Sequence, residues 1–276
     1  MSECYGRDFI QNGELQPSEL FDSSLVYEGE SVYEVIRLVK GSPVFFHDHM
    51  ERLAASVSNM KKELLTDETF IAEGIVKLLR SNKIKDINIK IVYNYNKGSQ
   101  NCLIYFIESV YPSVIQYRNG VRGILIEAVR KDPESKVINH KLRSEIAHRL
   151  INEGGYEAVL VNADNYITEG SRSNIFFLRN GILYTAPDNL VLKGITRKYI
   201  LDICRDNSIT VKFECVNAKD ISGYDAAFMT GTSPMVLPFC YIGDIKFSVK
   251  LPLMEELRKL YILKVEESIR LFRPDY

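Results

Sequence analysis

The sequence has no excess of charge of either sign. Its 35 lysines and arginines stand against 36 aspartates and glutamates, a formal net charge of −1 over 276 residues. That balance argues against a general binder of nucleic acid or anionic membrane, which would carry a basic excess. There is no basic arm and no acidic tail. No run approaches the roughly eighteen apolar residues that a membrane span needs, and the start, MSECYGRDFIQNGEL, lacks the apolar core of a signal peptide. Cysteine is sparse and unorganised: five residues, at 4, 102, 204, 215 and 240, with no CxxC and no metal-type spacing. An odd count without a framework fits free thiols in a reducing compartment, so a soluble cytoplasmic protein is expected. Also missing are G-x-G-x-x-G, G-x-x-x-x-G-K-[ST] and G-x-S-x-G. Their absence argues against a Rossmann site, a P-loop and a serine-hydrolase elbow. Histidine is scarce, at four residues. His47 and His49 form an H-x-H, but two imidazoles without a nearby third ligand make a weak metal site, so no metal is expected. His140 and His148 have no partners in sequence.

What is present is enough apolar residue, 46%, for a large core or two. The chain alternates strand and helix signals. FDSSLVYEGESVYEVIRLVKGSPVFF reads as strand, turn, strand and polar turn. HDHMERLAASVSNMKKELL carries apolar residues at 50, 53, 54, 57, 60 and 64, the spacing of a helix that buries one stripe. A second helix is expected over 67–80, and INIKIVYNY and NCLIYFIESVYPS form a hairpin through NKGSQ. VYPSVIQYRNG, at 110–120, has little periodicity and reads as a connection. Beyond it come strand GILIEAV, a helix over about 142–153, short strands YEAVLVN, YITEG, SNIFFL and GILYTAP, helix ITRKYILDICRDN, strands VKFECV and AAFMTG, and a closing helix over 252–272. The fold class expected is α+β in two domains: a smaller N-terminal α/β domain at 1–112, a connection at 113–119, and a larger β-rich domain with flanking helices at 120–276.

Several segments follow one another in a telling order: YEGESVYEVIRL, H-x-H-x-x-R-L at 47–53, K-x-x-N at 136–139, YEAVLVNADNYITEGSRSNIFFL at 156–178, KGITR at 193–197 and MTGTSPM at 229–235. In this order, over nearly the whole chain, they resemble the class IV, fold-type IV pyridoxal-phosphate enzymes. That family includes branched-chain and D-amino-acid aminotransferases and aminodeoxychorismate lyase. The T-E-G-x-x-x-N-I-F run with G-I-T-R some twenty residues later is the specific part.

The resemblance implies a cofactor, pyridoxal 5'-phosphate, and a set of residues that suits its chemistry. The cofactor needs a lysine for a Schiff base, an acid that keeps its ring nitrogen protonated, and donors for a phosphate dianion. Glu169 is the implied acid. Arg52 is the implied phosphate arginine, although at its spacing an ion pair with Asp48 is the plainer reading. The start of a helix at Gly194, Ile195 and Thr196 offers backbone N–H groups and a partial positive charge to the same phosphate. Gly231 and Thr232 are the second implied donors. For the lysine there are two candidates, Lys136 and Lys141. Relatives place Asn three residues after the lysine, and counting back without a gap from Gly154-Gly155-Tyr156-Glu157-Ala158 selects Lys136, with Asn139 as partner. Choosing Lys141 would delete five residues from the following helix and rotate its apolar stripe by more than a turn. Lys141 is therefore expected as a solvated residue at the helix start.

The implied activity is amino-group transfer between an amino acid and a 2-oxo acid through Lys136; the alternative is a pyruvate-releasing lyase with the same lysine and glutamate. Substrate-side candidates are Tyr33, Tyr93, Ser233, and the cations Arg37, Lys97 and Arg172. No arginine occurs between Arg80 and Arg118, where some relatives grip the substrate carboxylate, so the choice among those cations stays open. The resemblance also implies a homodimer with shared active sites.

Overall fold

A computed structural model of the chain describes residues 3–129, 136 and 140–272, His140 and Lys141 by their backbone alone. The described residues form two units. One holds the chain up to Val110, together with Lys136 and the stretch from Val265 to Phe272. The other holds the described residues from Tyr111 to Lys264 apart from Lys136.

The first unit is built on a six-stranded antiparallel sheet. Strand β1 (Cys4–Gln11) turns into β2 (Glu14–Pro17) through Asn12 and Gly13, with φ of 52° and 89°. A type I′ two-residue hairpin loop needs positive φ at both positions, which an Asn-Gly pair adopts at little cost. This opening hairpin is absent from the sequence expectation, although its N-G signature is plain. FDSSLVY, expected as a strand, instead holds the short helix α1 (Ser24–Tyr27). The Asp22 carboxylate accepts from the Ser24 amide at 2.9 Å and its hydroxyl at 2.7 Å, a local turn that competes with extended backbone. Then follow β3 (Glu30–Val39), the two-residue β4 (Ser42–Pro43), helices α2 (Phe46–Asn59) and α3 (Glu68–Asn82), and the hairpin β5 (Ile87–Asn96) and β6 (Ser99–Ile107). The strand order is β2-β1-β6-β5-β3-β4.

The period of two in β3 divides its side chains between two cores. Val32, Ile36 and Leu38 join Ile89 and Ile91 under the helices, where Met50, Leu53 and Val57 of α2 and Ile71, Ile75 and Leu78 of α3 pack on them. Tyr33 joins Phe9, Val26, Val92, Leu103 and Tyr105 in the second cluster. The start of α3 is capped by Asp67, whose carboxylate accepts from the Phe70 amide at 2.8 Å; such a cap contributes about 1 kcal/mol. Because β4 pairs only with Leu38 and Val39, the first half of β3 keeps an open edge. At that edge the Tyr33 amide donates to the Lys136 carbonyl at 3.2 Å.

The second unit opens with α4 (Val114–Asn119), in the stretch expected as irregular connection. Ser113 and Gln116 form a reciprocal capping box around its first turn, the S-x-x-Q signature of a helix start. Its ten-stranded sheet is made of β7 (Val121–Glu127), β8 (Glu157–Val161), β9 (Tyr166–Gly170), β10 (Asn174–Arg179), β11 (Ile182–Thr185), β12 (Val211–Phe213), β13 (Val216–Asn217), β14 (Ala226–Gly231), β15 (Met235–Ile242) and β16 (Ile245–Lys246). The order is β12-β11-β10-β14-β15-β7-β8-β9-β13, with β16 on β15. Strand β15, missing from the sequence expectation, is central; its register with β14 holds the two ends of the MTGTSPM turn together. Helix α5 (His140–Glu153) packs through Ile146 on Ile124, Ile126, Ala158 and Leu160. Helices α6 (Ile195–Asp206) and α7 (Pro252–Leu271) complete the set, and no helix among the described residues is long and apolar enough to cross a membrane.

Candidate functional site

In the first unit the chemistry-bearing residues gather around Glu34. Strand parity turns Glu34 toward α2, and it is fully buried. Arg52 donates to it twice, Nε to Oε1 at 2.8 Å and Nη2 to Oε2 at 2.7 Å. His49, three residues earlier on the same helix face, meets Oε2 through Nδ1 at 2.7 Å. A carboxylate only accepts, so the His49 proton sits on Nδ1. Burial pushes the Glu34 carboxyl up, but the charges of Arg52 and Lys136 and the bonds from Arg52 and His49 outweigh it and hold Glu34 well below the usual carboxylate range. Burial pushes His49 down, against the pull of Glu34, so the ring is held neutral. Arg52 thus pairs with Glu34 across to β3.

Lys136 belongs to the same cluster. Its amide donates to Ser56 Oγ at 3.3 Å, and its Nζ lies 5.2 Å from the centre of the Tyr33 ring. Tyr33 N donates to its carbonyl, so the lysine backbone is fixed on both sides. On the other side of the sheet from Glu34, Lys90 is 1% exposed and has its Nζ 5.2 Å from the Tyr33 ring and 5.8 Å from that of Tyr105. Its carboxylate partner is Glu3, which also accepts from Tyr27 at 2.8 Å and Tyr105 at 3.3 Å. Burial pushes the Glu3 carboxyl up, but Lys90 and these hydroxyls outweigh it and lower it.

Other substrate-side candidates of this unit lie elsewhere. Tyr93 is in the core under the helices, its hydroxyl 2.6 Å from Thr66 Oγ1, on the face opposite Tyr33. The reason is parity: Tyr93 follows Val92, the residue paired with Tyr33. That placement sets Tyr93 apart from the group of Tyr33 and Lys136. Lys97 is exposed in the β5–β6 turn, and Arg37, half-buried, lies toward the β4 end of β3, two pairs past Tyr33 on its face.

In the second unit Glu169 is 2% exposed on β9, and its Oε2 accepts from the Leu192 amide at 3.1 Å. The Leu192 carbonyl in turn accepts from Asn174 Nδ2 at 2.8 Å. These two bonds fix the segment that starts α6 at Gly194, where no side chain caps the helix. A Cβ on Gly194 would stand 2.1 Å from Asn174 Oδ1, so only glycine fits against that side chain. The N–H groups of the first turn, at Ile195 and Thr196, have no intrahelical acceptor. The Thr196 hydroxyl is 3.2 Å from that of Tyr261. Arg197, the last residue of G-I-T-R, is structural: it donates to Asp188 at 2.6 Å and to the Ala186 carbonyl at 2.8 Å. Gly231, Thr232 and Ser233 form the half-buried turn between β14 and β15, and Arg172 is exposed beyond Gly170. The loop bearing Arg172 wraps the buried Glu157, which accepts from the Ser171 amide and hydroxyl at 3.1 and 2.5 Å and from the Ser173 hydroxyl at 2.9 Å.

These residues fit pyridoxal phosphate by the chemistry of the donor set. A buried carboxylate steadied by one backbone N–H suits a protonated aromatic nitrogen. An uncapped helix start and an oriented guanidinium suit a phosphate dianion. The lysine is the group that bonds a carbonyl carbon. Lys141 lies in the first turn of α5 with its side chain outside the described residues, as is Asn139. Glu34, His49, Lys90 and Glu3 are absent from the sequence-derived set. For Glu34 and Lys90 the signal is a charged residue at a core position of an alternating strand, E in SVYEVIRL and K in INIKIVY.

A family model, amino-transferase class IV, matches residues 31–242. A putative branched-chain-amino-acid aminotransferase of Methanocaldococcus jannaschii is 30% identical over 79% of this chain and 80% of its own length. An aminodeoxychorismate lyase of Bacillus subtilis is 27% identical over 82% of each. A D-alanine aminotransferase of Listeria monocytogenes is 25% identical, covering 87% of this chain and 88% of its own. Among solved structures, the branched-chain aminotransferase of Thermoproteus uzoniensis with norvaline has a TM-score of 0.83 at 23% identity, over 96% of this chain and 97% of that one. The Escherichia coli branched-chain amino acid aminotransferase has a TM-score of 0.84 at 20% identity, over 98% of this chain and all of the other. Likeness at that identity speaks for the fold.

Proposed function

The chain belongs to the amino-transferase class IV family, with its pyridoxal-phosphate cofactor and fold-type IV architecture, and on that premise we propose residue roles for transfer between an amino acid and a 2-oxo acid. Lys136 is the lysine that bonds the cofactor. Arg52, the N–H groups of Ile195 and Thr196, and Gly231 with Thr232 hold its phosphate. Glu169 holds the proton on its ring nitrogen. The cofactor, when bound, supplies an electron sink for the electrons left on the substrate Cα. The chain's residues do the rest. Glu34 sets the plane of the Arg52 guanidinium through two hydrogen bonds. Lys136 Nζ would hold the proton taken from the substrate Cα. Tyr33 presents its ring to the Lys136 Nζ. The observation that carries this reading is the Glu169–Leu192 bond, which ties a buried acid to the segment that opens an uncapped helix.

Relatives named as branched-chain and D-alanine aminotransferases support an amino-acid donor without choosing its hand. We infer a homodimer, as the resemblance implies; light scattering on the purified protein tests it. The five cysteines, none of them in a disulfide, support a cytoplasmic location, which fractionation tests. The deciding experiment is borohydride reduction of the cofactor-loaded protein followed by peptide mapping. The pyridoxyl label is expected on Lys136 and is lost in Lys136→Ala. A label at Lys141 overturns the assignment. Conversion of the bound cofactor to its amine form by an amino acid alone, stopping after one half-reaction, supports transfer. Pyruvate released from aminodeoxychorismate without a 2-oxo acid supports the lyase.

A further inference from the structure

We propose that Arg172 is the residue that grips the substrate carboxylate, and that the buried Glu157 is the positioning residue that aims it. The inference rests on the aminotransferase reading, which leaves that carboxylate without an assigned cation, and goes beyond it to the group that holds the substrate.

Ser171, Arg172 and Ser173 connect β9 to β10. The Gly170 amide donates to the Ser173 carbonyl at 2.7 Å and the Ser171 amide to the Ala158 carbonyl at 2.8 Å, so the loop is closed at its base and tied to β8. Both serine hydroxyls point inward and donate to Glu157, which is 2% exposed and also accepts from the Ser171 and Ala158 amides. A Cβ on Gly170 would meet Ser173 Oγ and stand 3.2 Å from the Glu157 carboxyl carbon, so the packing leaves no slack. A buried carboxylate is costly unless its lone pairs are met. Here three of its donors belong to the loop, which makes Glu157 a brace for that loop. With Ser173 buried and Ser171 half-buried, the brace leaves Arg172 as the exposed side chain of the three.

The surroundings of Arg172 suit an incoming anion. Among the described residues no carboxylate forms an ion pair with it. The group that feels its charge is the half-buried Tyr156 hydroxyl, which burial pushes up and Arg172 pulls down. The Arg172 carbonyl lies 3.4 Å from where a Cβ on Gly231 would stand, so the loop abuts the turn that the aminotransferase reading places on the cofactor. The loop also begins one residue past Glu169, the acid of the same reading. In that reading the phosphate already has a guanidinium and helix-start amides, while the substrate carboxylate has no cation. A guanidinium presents two parallel donors that match a carboxylate. Because the base of this arginine is fixed in advance, less ordering is lost when it binds.

The test compares valerate, an unreactive carboxylate, with valeramide, its neutral counterpart, on the cofactor-loaded protein by calorimetry. The wild type is expected to prefer valerate. Arg172→Met is expected to weaken valerate at least about tenfold, the scale of one charge-assisted bond, with valeramide binding and cofactor loss on dialysis little changed. Arg172→Lys keeps the charge without the fork and is expected to lose about threefold. Glu157→Gln is expected to cost valerate about threefold in the wild-type background and nothing in Arg172→Met, since Glu157 acts through the arginine. If Glu157→Gln does not fold, Ser173→Ala deletes one bond of the brace and carries the same expectation. A preference for valerate that survives Arg172→Met overturns the inference. So does faster cofactor loss in that variant with the preference unchanged, which would put the guanidinium on the phosphate. An equal cost of Glu157→Gln in both backgrounds overturns the positioning role. Binding is read without turnover, so it fails separately from the aminotransferase reading, which falls if Lys136 takes no borohydride label.

Discussion

Replacing Glu34 with glutamine keeps the shape of the side chain and deletes one negative charge from a buried cluster that holds Arg52, His49 and Lys136. The amide oxygen can keep one Arg52 bond, while the amide nitrogen opposes the second donor and the His49 Nδ1 proton. Breaking a buried pair by neutralising one partner costs about 3–5 kcal/mol, because the other charge stays buried. Arg52 is 10% exposed and Glu34 fully buried, so little of that cost is screened. With one bond retained the expected loss is about 3 kcal/mol. For a chain of this size that lowers the melting temperature by roughly 6–12 °C. The assay is thermal denaturation of wild type, Glu34→Gln, Arg52→Met and the double variant. The two single losses are expected to exceed that of the double variant by about 1–3 kcal/mol, since removing both charges leaves neither orphaned. A loss under 1 kcal/mol for Glu34→Gln, or simple additivity, refutes the account of Arg52 as an arginine oriented by Glu34.

Two further outcomes follow from the same geometry. The folded value of Glu34 lies below its unfolded value of about 4.3, so its stabilisation is complete above that pH and is lost as pH falls through the folded value. The stability gap between wild type and Glu34→Gln is therefore expected to narrow below about pH 4, measured by urea unfolding from pH 3 to 8. His49 is also lowered, by burial, so its contribution is full above its unfolded value of about 6.5 and declines as pH falls; His49→Gln is expected to flatten that part of the profile. In the second unit, Gly194→Ala sets a methyl 2.1 Å from Asn174 Oδ1. The backbone at Gly194 has φ of −65°, which alanine tolerates, so the whole effect is steric. Its displacement of Asn174 from Leu192 is expected to cost about 1–3 kcal/mol and to speed cofactor loss on dialysis about tenfold. Unchanged retention would separate the α6 start from the phosphate.

The motifs made the second unit's acid and helix start legible because each depends on local geometry. Glu169 and the segment that starts α6 are joined through Leu192, whose amide donates to Glu169 and whose carbonyl accepts from Asn174. The expected elements failed where a polar side chain rewrote the backbone locally. Asp22 bent an expected strand into α1, and Ser113 with Gln116 made a helix of an expected connection. Both are capping or turn signatures of three or four residues, shorter than the windows that periodicity reads.

A deeper limit lies in strand parity, and the YE pair of β3 shows it. Adjacent residues on a strand face opposite sides, so Tyr33 enters the face with Lys90 and Tyr105 while Glu34 enters the face with His49 and Arg52. A motif reading treats Y-E as one feature; the sheet makes it two sites. The same parity carried Tyr93, one residue past Val92, under the helices to Thr66. It also hid Lys90, since a lysine two residues before Val92 looks like a solvated interruption of an apolar run. Which face of β5 is covered by helices is decided by α2 and α3, residues 46–82, not by β5 itself. The identity of the carboxylate beside Lys90 is more remote still: it comes from residue 3, 87 positions away, brought there by the pairing of β1 with β6. A charged residue at a core position of an alternating strand therefore marks a site, but its partner is read only from strand order.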